Sequence, residues 1–241
     1  MNYFFDTHTH LKQNIDNVIS IVNIQPNTPP PKLNFSVGIH PWCIHEFKID
    51  TIMDKIAEFA KNRYCVAIGE SGLDKINYNK TEKLNPELKI KYNDGYSIQK
   101  IIFQQQIEIA NFANKPMIIH CVKAFPELIS IRKKITKKTP WIIHGFNSSL
   151  EIAKSLIKEE IFLSFGSKLT SPNSHKLRAT FKEIPLEKIL LETDNLEKRM
   201  LNIEDIYNKA AEIKAISVDN LKSIILKNIQ RAELNIQFEE K

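Results

Sequence analysis

The N-terminal segment YFFDTHTH, residues 3–10, ends in two histidines separated by one residue. Successive side chains of a β-strand point to opposite faces, so His8 and His10 are expected on one face and Thr7 and Thr9 on the other. Two imidazoles on one face at the end of a buried strand can bind a metal ion. The same pair also suits two ordinary polar residues where a strand meets solvent. The pair alone therefore does not decide between a metal site and a strand end.

Further residues with metal-ligating side chains follow other apolar runs of the chain. They are His40, Glu70, His120, His144 and Asp194, so that five of the seven histidines end apolar runs. A hydrogen bond at a strand end explains any one of these residues equally well. If so many charged and imidazole groups lay together in one low-dielectric pocket, however, they would repel each other or stay unpaired without a cation. Nitrogen-rich ligands with two carboxylates favour zinc, manganese, iron, cobalt or nickel over a calcium or magnesium cage. A carboxylate on a middle strand can also bridge two ions about 3.5–4 Å apart.

A repeating pattern of elements positions these residues. Short apolar runs rich in β-branched and aromatic residues alternate with longer segments of helical periodicity. The runs span residues 3–8, 18–24, 35–40, 65–70, 116–121, 141–146, 161–166 and 189–194. Continuous hydrophobicity is typical of strands buried on both faces, as in a parallel sheet. The pattern predicts an α/β fold, a closed (β/α)8 TIM-type barrel formed by residues 1–241 as one domain. The carboxyl ends of barrel strands meet on one face, so we expect the candidate ligands to converge there.

The connections between the runs are uneven, so the barrel is expected to be slightly distorted. Too few residues separate His10 from Val18 for a helix, which predicts a shortened first crossover. The Pro-rich segment 24–34 predicts an irregular second crossover, and the polar segment 75–96 predicts a long excursion at the rim. Helical spacing predicts helices over 101–113 and 149–160, the second capped by Ser148 or Ser149, and two C-terminal helices, one ending near Lys214 and one following Ser217.

The composition is typical of a soluble globular protein, with 42% hydrophobic and 26% charged residues. No apolar stretch approaches the roughly 20 residues that span a bilayer, and the N-terminus has no signal-peptide pattern. The cysteines, Cys43, Cys65 and Cys121, show no C-x-x-C spacing, which argues against a disulfide framework and favours a reducing compartment. We therefore expect a cytoplasmic protein.

The net charge of +6 suits a nucleic-acid ligand. Lys-rich segments such as 131–140 equally suit solvated helix faces, so the charge does not decide whether the protein binds nucleic acid.

The ordered set of motifs resembles the TatD family of metal-dependent deoxyribonucleases, within the wider group of amidohydrolase-type barrels. DTHTH resembles the opening motif of the family, SVGIHPW its Gly-Ile-His-Pro segment, and AIGESGLD its Gly-Glu-x-Gly-Leu-Asp segment. QKIIFQQQIEIA with KPMIIHC, IIHGFNSSLEIAKSLI and ILLETD resemble the later motifs, and the similarity extends from residue 3 to about residue 232. The set in this order is far more specific than any one motif.

The resemblance implies a cofactor of two divalent cations, with Zn, Mn, Mg, Co and Ni as the candidates. By position, the first cation would be bound by His8, His10, Glu70 and Asp194, and the second by Glu70, His120 and His144. Glu70 and Asp194 would be the catalytic carboxylates, and Asp194 would also orient or deprotonate the attacking water. His40 is not assumed to be a ligand: it either contacts the scissile phosphate or lines the pocket. Trp42 either stacks on a base or, the interpretation we favour, packs beneath a loop.

Three departures from the family pattern concern the rim of the barrel. Many members have an Arg and an acidic residue after the fifth strand, where this chain has Val122 and Lys123. The loss of that Arg would weaken or redirect substrate binding, and Lys123 would partly replace its charge as a substrate contact. The Ser-Pro that follows the last motif is replaced by NLEKRML, residues 195–201, and the first crossover is short. None of the three departures affects a predicted metal ligand, so they bear on substrate binding and not on the metal centre.

The sequence leaves three hypotheses on function open. The first is a phosphodiesterase with DNA as its substrate, which the resemblance favours. The second is a small-molecule hydrolase of the amidohydrolase type, acting on a lactone, amide or ester, because the same activated water serves carbonyl chemistry. The third, a barrel without catalysis, ranks last because every expected ligand position is filled. Neither a membrane nor an obligate protein partner is expected.

Overall fold

The computed structural model describes residues 3–11, 15–77, 94–136, 139–196 and 201–238. Eight strands follow in chain order: β1 (Phe4–Thr9), β2 (Val18–Ile24), β3 (Phe35–Val37), β4 (Cys65–Asp74), β5 (Met117–Val122), β6 (Trp141–Ile143), β7 (Phe162–Phe165) and β8 (Ile189–Leu191). Each strand pairs in parallel with the next. The predicted strands are confirmed in number, order and direction.

The segment that follows β8 closes the sheet against β1. The backbone N–H of Asp194 donates to the carbonyl of His8 at 3.0 Å, and that of His10 donates to the carbonyl of Asn195 at 3.1 Å. The hydroxyl of Thr7 donates to the carbonyl of Leu191 at 3.0 Å. The fold is therefore the predicted (β/α)8 TIM-type barrel, nearly closed.

Helices surround the sheet in the described residues. They are α1 (Ile49–Phe59), α2 (Gly95–Ala113), α3 (Phe125–Lys134), α4 (Leu150–Lys158), α5 (His175–Glu183), α6 (Ile203–Lys214) and α7 (Val218–Arg231). Ser149 caps α4, as predicted, by accepting a hydrogen bond from the Ile152 N–H. Helix α7 follows Ser217, also as predicted, and Ser217 caps it by accepting a hydrogen bond from the Asn220 N–H. Helix α2 begins six residues before its predicted start, because Asp94 caps it through the Ser97 N–H. Within the described ranges, no helix has the length and apolar character needed to cross a bilayer.

The crossovers near the N-terminus differ from the standard barrel unit. The described residues between β1 and β2 contain no helix, and residues 25–34 between β2 and β3 form turns and bends. Both findings agree with the predicted short first crossover and irregular second crossover. Most of the predicted excursion over 75–96 lies outside the described residues, which resume at Asp94.

Some strand ends differ from the prediction. β3 ends at Val37 instead of His40, because the side chain of Gln106 in α2 takes the place of a neighbouring strand. Its Oε1 accepts from the Ile39 N–H at 2.7 Å and its Nε2 donates to the Ile39 carbonyl at 3.2 Å. β6 and β8 end at Ile143 and Leu191, three residues before their predicted ends, and β4 continues to Asp74. His144 and Asp194 therefore lie in the loops just beyond their strands.

The apolar core fills the layer between strands and helices. Phe103 of α2 packs on Trp141 of β6 with ring centroids 5.6 Å apart, and Phe165 of β7 packs on Phe181 of α5 at 4.8 Å. Each such buried ring contributes about 1.5–3 kcal/mol relative to an exposed one. This packing holds the helices against the sheet.

Candidate metal centre

Glu70 lies at the centre of a cluster of imidazoles at the carboxyl end of the barrel. Its Oε2 is 3.5 Å from Nε2 of His8 and 3.5 Å from Nε2 of His10. Asp194 completes this group, with Oδ1 at 3.6 Å from Nε2 of His8 and 3.5 Å from Nε2 of His10. His8 of β1 and His10 just beyond it thus face two carboxylates, Glu70 within β4 and Asp194 in the loop that follows β8.

The other oxygen of Glu70 faces a different group of imidazoles. Oε1 lies 2.7 Å from Nε2 of His144 and 3.1 Å from Nδ1 of His120. Nε2 of His40 approaches the same oxygen at 3.1 Å. All six predicted ligand residues and His40 are therefore gathered at one end of the barrel, and Glu70 divides them into two groups.

The electrostatics of the cluster favour positive charge between these side chains. Burial would raise the pKa of Glu70, but the facing His144 and hydrogen bonds from His10 and His120 hold it well below its usual value. Asp194 likewise has a lowered pKa, because a hydrogen bond from His10 and the charge of His8 outweigh burial. Burial opposes charge on His10, yet Asp194 and Glu70 raise its pKa to about 9. The carboxylates thus stay ionised and attract either protons or a metal cation.

His8 provides the test of whether a cation fits. Its side chain is 1% exposed, and among the described residues neither ring nitrogen has a hydrogen-bond partner. A buried imidazole with both nitrogens unpaired is costly unless something binds it. Its distances of 3.5 and 3.6 Å to carboxylate oxygens are too long for good hydrogen bonds. They match the ligand–ligand separation of about 3.4 Å that tetrahedral bonds of about 2.1 Å produce around a zinc ion. The residues present fit a divalent cation.

In the part of the chain that the structure describes, three sets of ligand atoms are compact enough to hold an ion, with all their atoms within 4.8 Å of one another. They are His8 with Glu70 and His144, His8 with His10 and Asp194, and His40 with Glu70 and His120. The last set includes His40, which the sequence does not assign as a ligand.

The hydrogen bonds of His40 indicate a donor rather than a ligand. The backbone N–H of Trp42 donates to its Nδ1 at 3.1 Å. A neutral imidazole that accepts at Nδ1 carries its proton on Nε2. His40 therefore presents an N–H towards Glu70 and the mouth of the barrel, and its pKa is lowered by burial, which favours this neutral form.

Two buried carboxylates that the sequence reasoning missed lie behind the second group. Oδ2 of Asp74 is 3.3 Å from Nε2 of His120, and Oε1 of Glu192 is 3.6 Å from Nδ1 of His144. Glu192 also accepts a hydrogen bond from the Gly145 N–H at 2.5 Å. Carboxylates in this position orient metal-binding histidines. The signal was present in the sequence, because Asp74 ends a buried strand and Glu192 directly follows one. Both lie within the quoted motifs, four and two positions from a predicted ligand.

The rim residues lie where the sequence places them. Lys123 directly follows β5, with an exposed side chain and a left-handed backbone at φ 55°. In the final loop, residues 197–200 lie outside the described residues. The two ends of this loop are joined by Asn195, whose amide donates to the Leu201 carbonyl at 2.9 Å and accepts from the Leu201 N–H at 2.8 Å. The indole N–H of Trp42 donates to Asp74 at 2.7 Å. This hydrogen bond holds the side chain against the end of β4, in agreement with the packing role favoured for Trp42.

Comparison with proteins of known sequence identifies related hydrolases. The model of the family described as TatD related DNase matches residues 19–233. An uncharacterized metal-dependent hydrolase from Buchnera aphidicola subsp. Baizongia pistaciae is 31% identical over 66% of this chain, which spans 55% of that relative's length. The uncharacterized metal-dependent hydrolase YabD of Bacillus subtilis is 30% identical over 73% of this chain and 68% of its own. An uncharacterized metal-dependent hydrolase from Haemophilus influenzae is 26% identical over 96% of this chain and 94% of its own.

Solved structures show the same fold. The TatD homologue YJJV of Escherichia coli K12 superposes with a TM-score of 0.77, at 20% identity over 97% of this chain and 98% of that one. An uncharacterized amidohydrolase from Saccharomyces cerevisiae gives a TM-score of 0.72, at 15% identity over 96% of this chain and 100% of that one. Since the family model extends over nearly the whole barrel and the relatives at or above 30% identity are metal-dependent hydrolases, this chain belongs to the TatD family of metal-dependent hydrolases.

Proposed function

We propose that this protein is a deoxyribonuclease that uses two divalent cations to hydrolyse phosphodiester bonds of DNA. The observation that carries the proposal is the division of the cluster by Glu70, whose two oxygens face separate groups of nitrogen ligands. One cation would be held by His8, His10, Glu70 and Asp194, and the other by Glu70, His120 and His144. The family match supports the choice of DNA.

Asp194 is the residue best placed to accept the proton of the attacking water. Its side chain is 45% exposed, whereas that of Glu70 is 5% exposed, so Asp194 is the carboxylate that solvent and substrate can reach. Its lowered pKa keeps it ionised and able to act as a base. A bound pair of divalent cations would lower the pKa of water towards neutrality and stabilise the charge that develops on the phosphate.

His40 and Lys123 would bind the substrate. The N–H that His40 directs into the mouth is a donor for a phosphate oxygen, and it lies beside Glu70, where the reaction takes place. The exposed ammonium of Lys123 would contact the DNA backbone. Because phosphate contacts by lysine are electrostatic, binding is expected to weaken steeply as the salt concentration rises.

A hydrolase of small lactones, amides or esters is the second candidate. One observation favours it: Val122 and Lys123 replace the Arg and acidic residue that many family members carry at this rim. The same ionised carboxylates and activated water serve carbonyl substrates.

The three cysteines are free thiols, which supports the proposal that the enzyme acts in the cytoplasm.

One experiment separates these functions. The purified protein is analysed for bound metals and incubated with end-labelled single-stranded DNA and Mg²⁺, Mn²⁺ or Zn²⁺, beside Glu70→Ala and the control Glu58→Ala, which alters an exposed residue of α1. The proposal expects laddered products from the wild type and from Glu58→Ala, and none from Glu70→Ala. Intact DNA with every metal, together with hydrolysis in a lactone and ester panel, would replace the proposal with the second candidate.

A further inference from the structure

Asp74, at the end of β4, joins three parts of the barrel mouth. Its side chain is fully buried, and its Oδ2 lies 2.7 Å from Nε1 of Trp42 and 3.3 Å from Nε2 of His120. The backbone N–H of Asp74 donates to Oε1 of Gln99 in α2 at 2.8 Å. A carboxylate that is not one of the proposed ligands is thus fixed to the loop after β3, to α2 and to a proposed ligand on β5.

The hydrogen bonds of Asp74 determine the role of His120. Oδ1 accepts from the backbone N–H groups of Ile76 and Asn77 at 2.8 and 2.9 Å, and Oδ2 accepts from the indole N–H of Trp42. Backbone and indole N–H groups can only donate, so the carboxylate is held as an acceptor. Nε2 of His120 must then be a donor as well. When the ring is neutral, its lone pair is therefore on Nδ1, the nitrogen that lies 3.1 Å from Glu70.

Trp42 orients two imidazoles at once. Its backbone N–H donates to Nδ1 of His40, and its indole N–H holds Asp74, which holds His120. Both rings end 3.1 Å from the same oxygen of Glu70, His40 with its Nε2 and His120 with its Nδ1. The rings are packed together, with centroids 4.5 Å apart.

We propose that Asp74, aimed by Trp42, is a positioning residue that fixes the His120 ring so that Nδ1 is the nitrogen offered to the second cation. His144 shows the contrasting arrangement, because Glu192 lies at its Nδ1 and its Nε2 faces Glu70. The two histidines of this group therefore present different nitrogens to Glu70, and for His120 the nitrogen is selected by the carboxylate behind it. This inference rests on the proposed metal centre and goes beyond it.

Zinc binding to four variants tests the proposal. Asp74→Asn and Trp42→Phe remove parts of the network. Asp94→Asn is the matched control for the first, because Asn also caps helices and Asp94 contacts Ser97 at the start of α2. Trp141→Phe is the matched control for the second, because Nε1 of Trp141 has no hydrogen-bond partner within the described ranges. Zn²⁺ stoichiometry and affinity are measured by chelator competition, and thermal unfolding without added metal reports on the fold.

In Asp74→Asn, one of the two Zn²⁺ sites is expected to lose about 10–100-fold in affinity, the usual effect of removing a carboxylate behind a metal-binding histidine. The other site and both controls should be unchanged, and Trp42→Phe should shift one site in the same direction. In Zn²⁺-loaded wild type with ¹⁵N-labelled histidines, His120 should show a protonated Nε2 and a metal-bound Nδ1, assigned with His120→Gln. That pattern should be lost in Asp74→Asn.

Unchanged affinity and an unchanged His120 signal in both Asp74→Asn and Trp42→Phe would overturn the proposal, and Trp42→Phe alone decides if Asp74→Asn does not fold. A wild type that binds two Zn²⁺ ions but leaves DNA intact would overturn the assigned substrate and not the role of Asp74. A wild type that binds fewer than two Zn²⁺ ions would overturn both.

Discussion

The carboxylate of Asp6 accepts two hydrogen bonds from Thr193, one from its backbone N–H at 2.8 Å and one from its hydroxyl at 2.6 Å. Both residues are buried. Asp6 lies in β1, two residues before His8, and Thr193 directly precedes Asp194. The pair therefore fixes the distance between the proposed ligands His8 and Asp194, at the place where β1 meets the segment after β8 and the barrel closes.

Thr193→Val keeps the shape of this side chain and removes the hydroxyl donor. Leaving a buried carboxylate oxygen without its partner costs about 1–3 kcal/mol, so the free energy of unfolding should fall by that amount in denaturant titrations. Thr170→Val, which loses an exposed hydroxyl bond to Ser167, is the control and should change it by less than about 0.5 kcal/mol. An equal loss of unfolding free energy in both variants would show that the hydroxyl bond from Thr193 to Asp6 contributes no more to stability than an exposed hydrogen bond does.

Glu70→Gln is nearly isosteric and removes the charge that both groups of imidazoles face. Since Glu70 is proposed to contact both cations directly, metal affinity should fall by more than about 100-fold, the upper range for indirect contacts. Elemental analysis after dialysis measures the bound metal, and hydrolysis should disappear with it. Metal retained at wild-type stoichiometry would contradict the central role given to this carboxylate.

His40→Ala separates a substrate donor from a metal ligand. If His40 donates its Nε2–H to the reacting phosphate, kcat should fall by about 10²–10³-fold, as for other single donors to a developing oxyanion. The bound metal should stay at the wild-type level, since Trp42 occupies the other nitrogen of the ring. A proportional loss of metal and activity would instead make His40 a ligand.

Gln106→Leu removes the side chain that satisfies the backbone of Ile39. The N–H and carbonyl of Ile39 would both be left buried and unpaired, at about 1–3 kcal/mol each. We expect lower stability in thermal unfolding together with weaker substrate binding, because Ile39 directly precedes His40. Gln104→Leu, on an exposed position of the same helix, should change neither property.

Gly72→Ala tests the close approach of β4 to β5. A β-carbon at Gly72 would lie 2.0 Å from the carbonyl oxygen of His120, in a backbone with φ of 145°. The clash and the strain together should prevent folding or displace His120, visible as loss of soluble protein or of metal. At Gly166 the nearest atom to an added β-carbon is 3.4 Å away, so Gly166→Ala should fold normally.

The sequence by itself determined the eight strands and the set of residues at their ends. Continuous apolar runs predict buried parallel strands, and the geometry of a barrel then brings His8, Glu70 and His144 to one face without knowledge of any contact. The cap at Ser149 was predictable for a similar reason, because capping depends on residues three positions apart.

Only the tertiary structure decided where β3 ends, which nitrogen of His120 faces Glu70, and that Trp42 holds Asp74. Each depends on a side chain far along the chain: Gln106 bonds Ile39 from 67 positions away, and Asp74 bonds His120 from 46. Local periodicity carries no information about such pairs. The rotation of an imidazole is chosen by the hydrogen-bond partners on its two sides, and these are brought together only when the barrel closes.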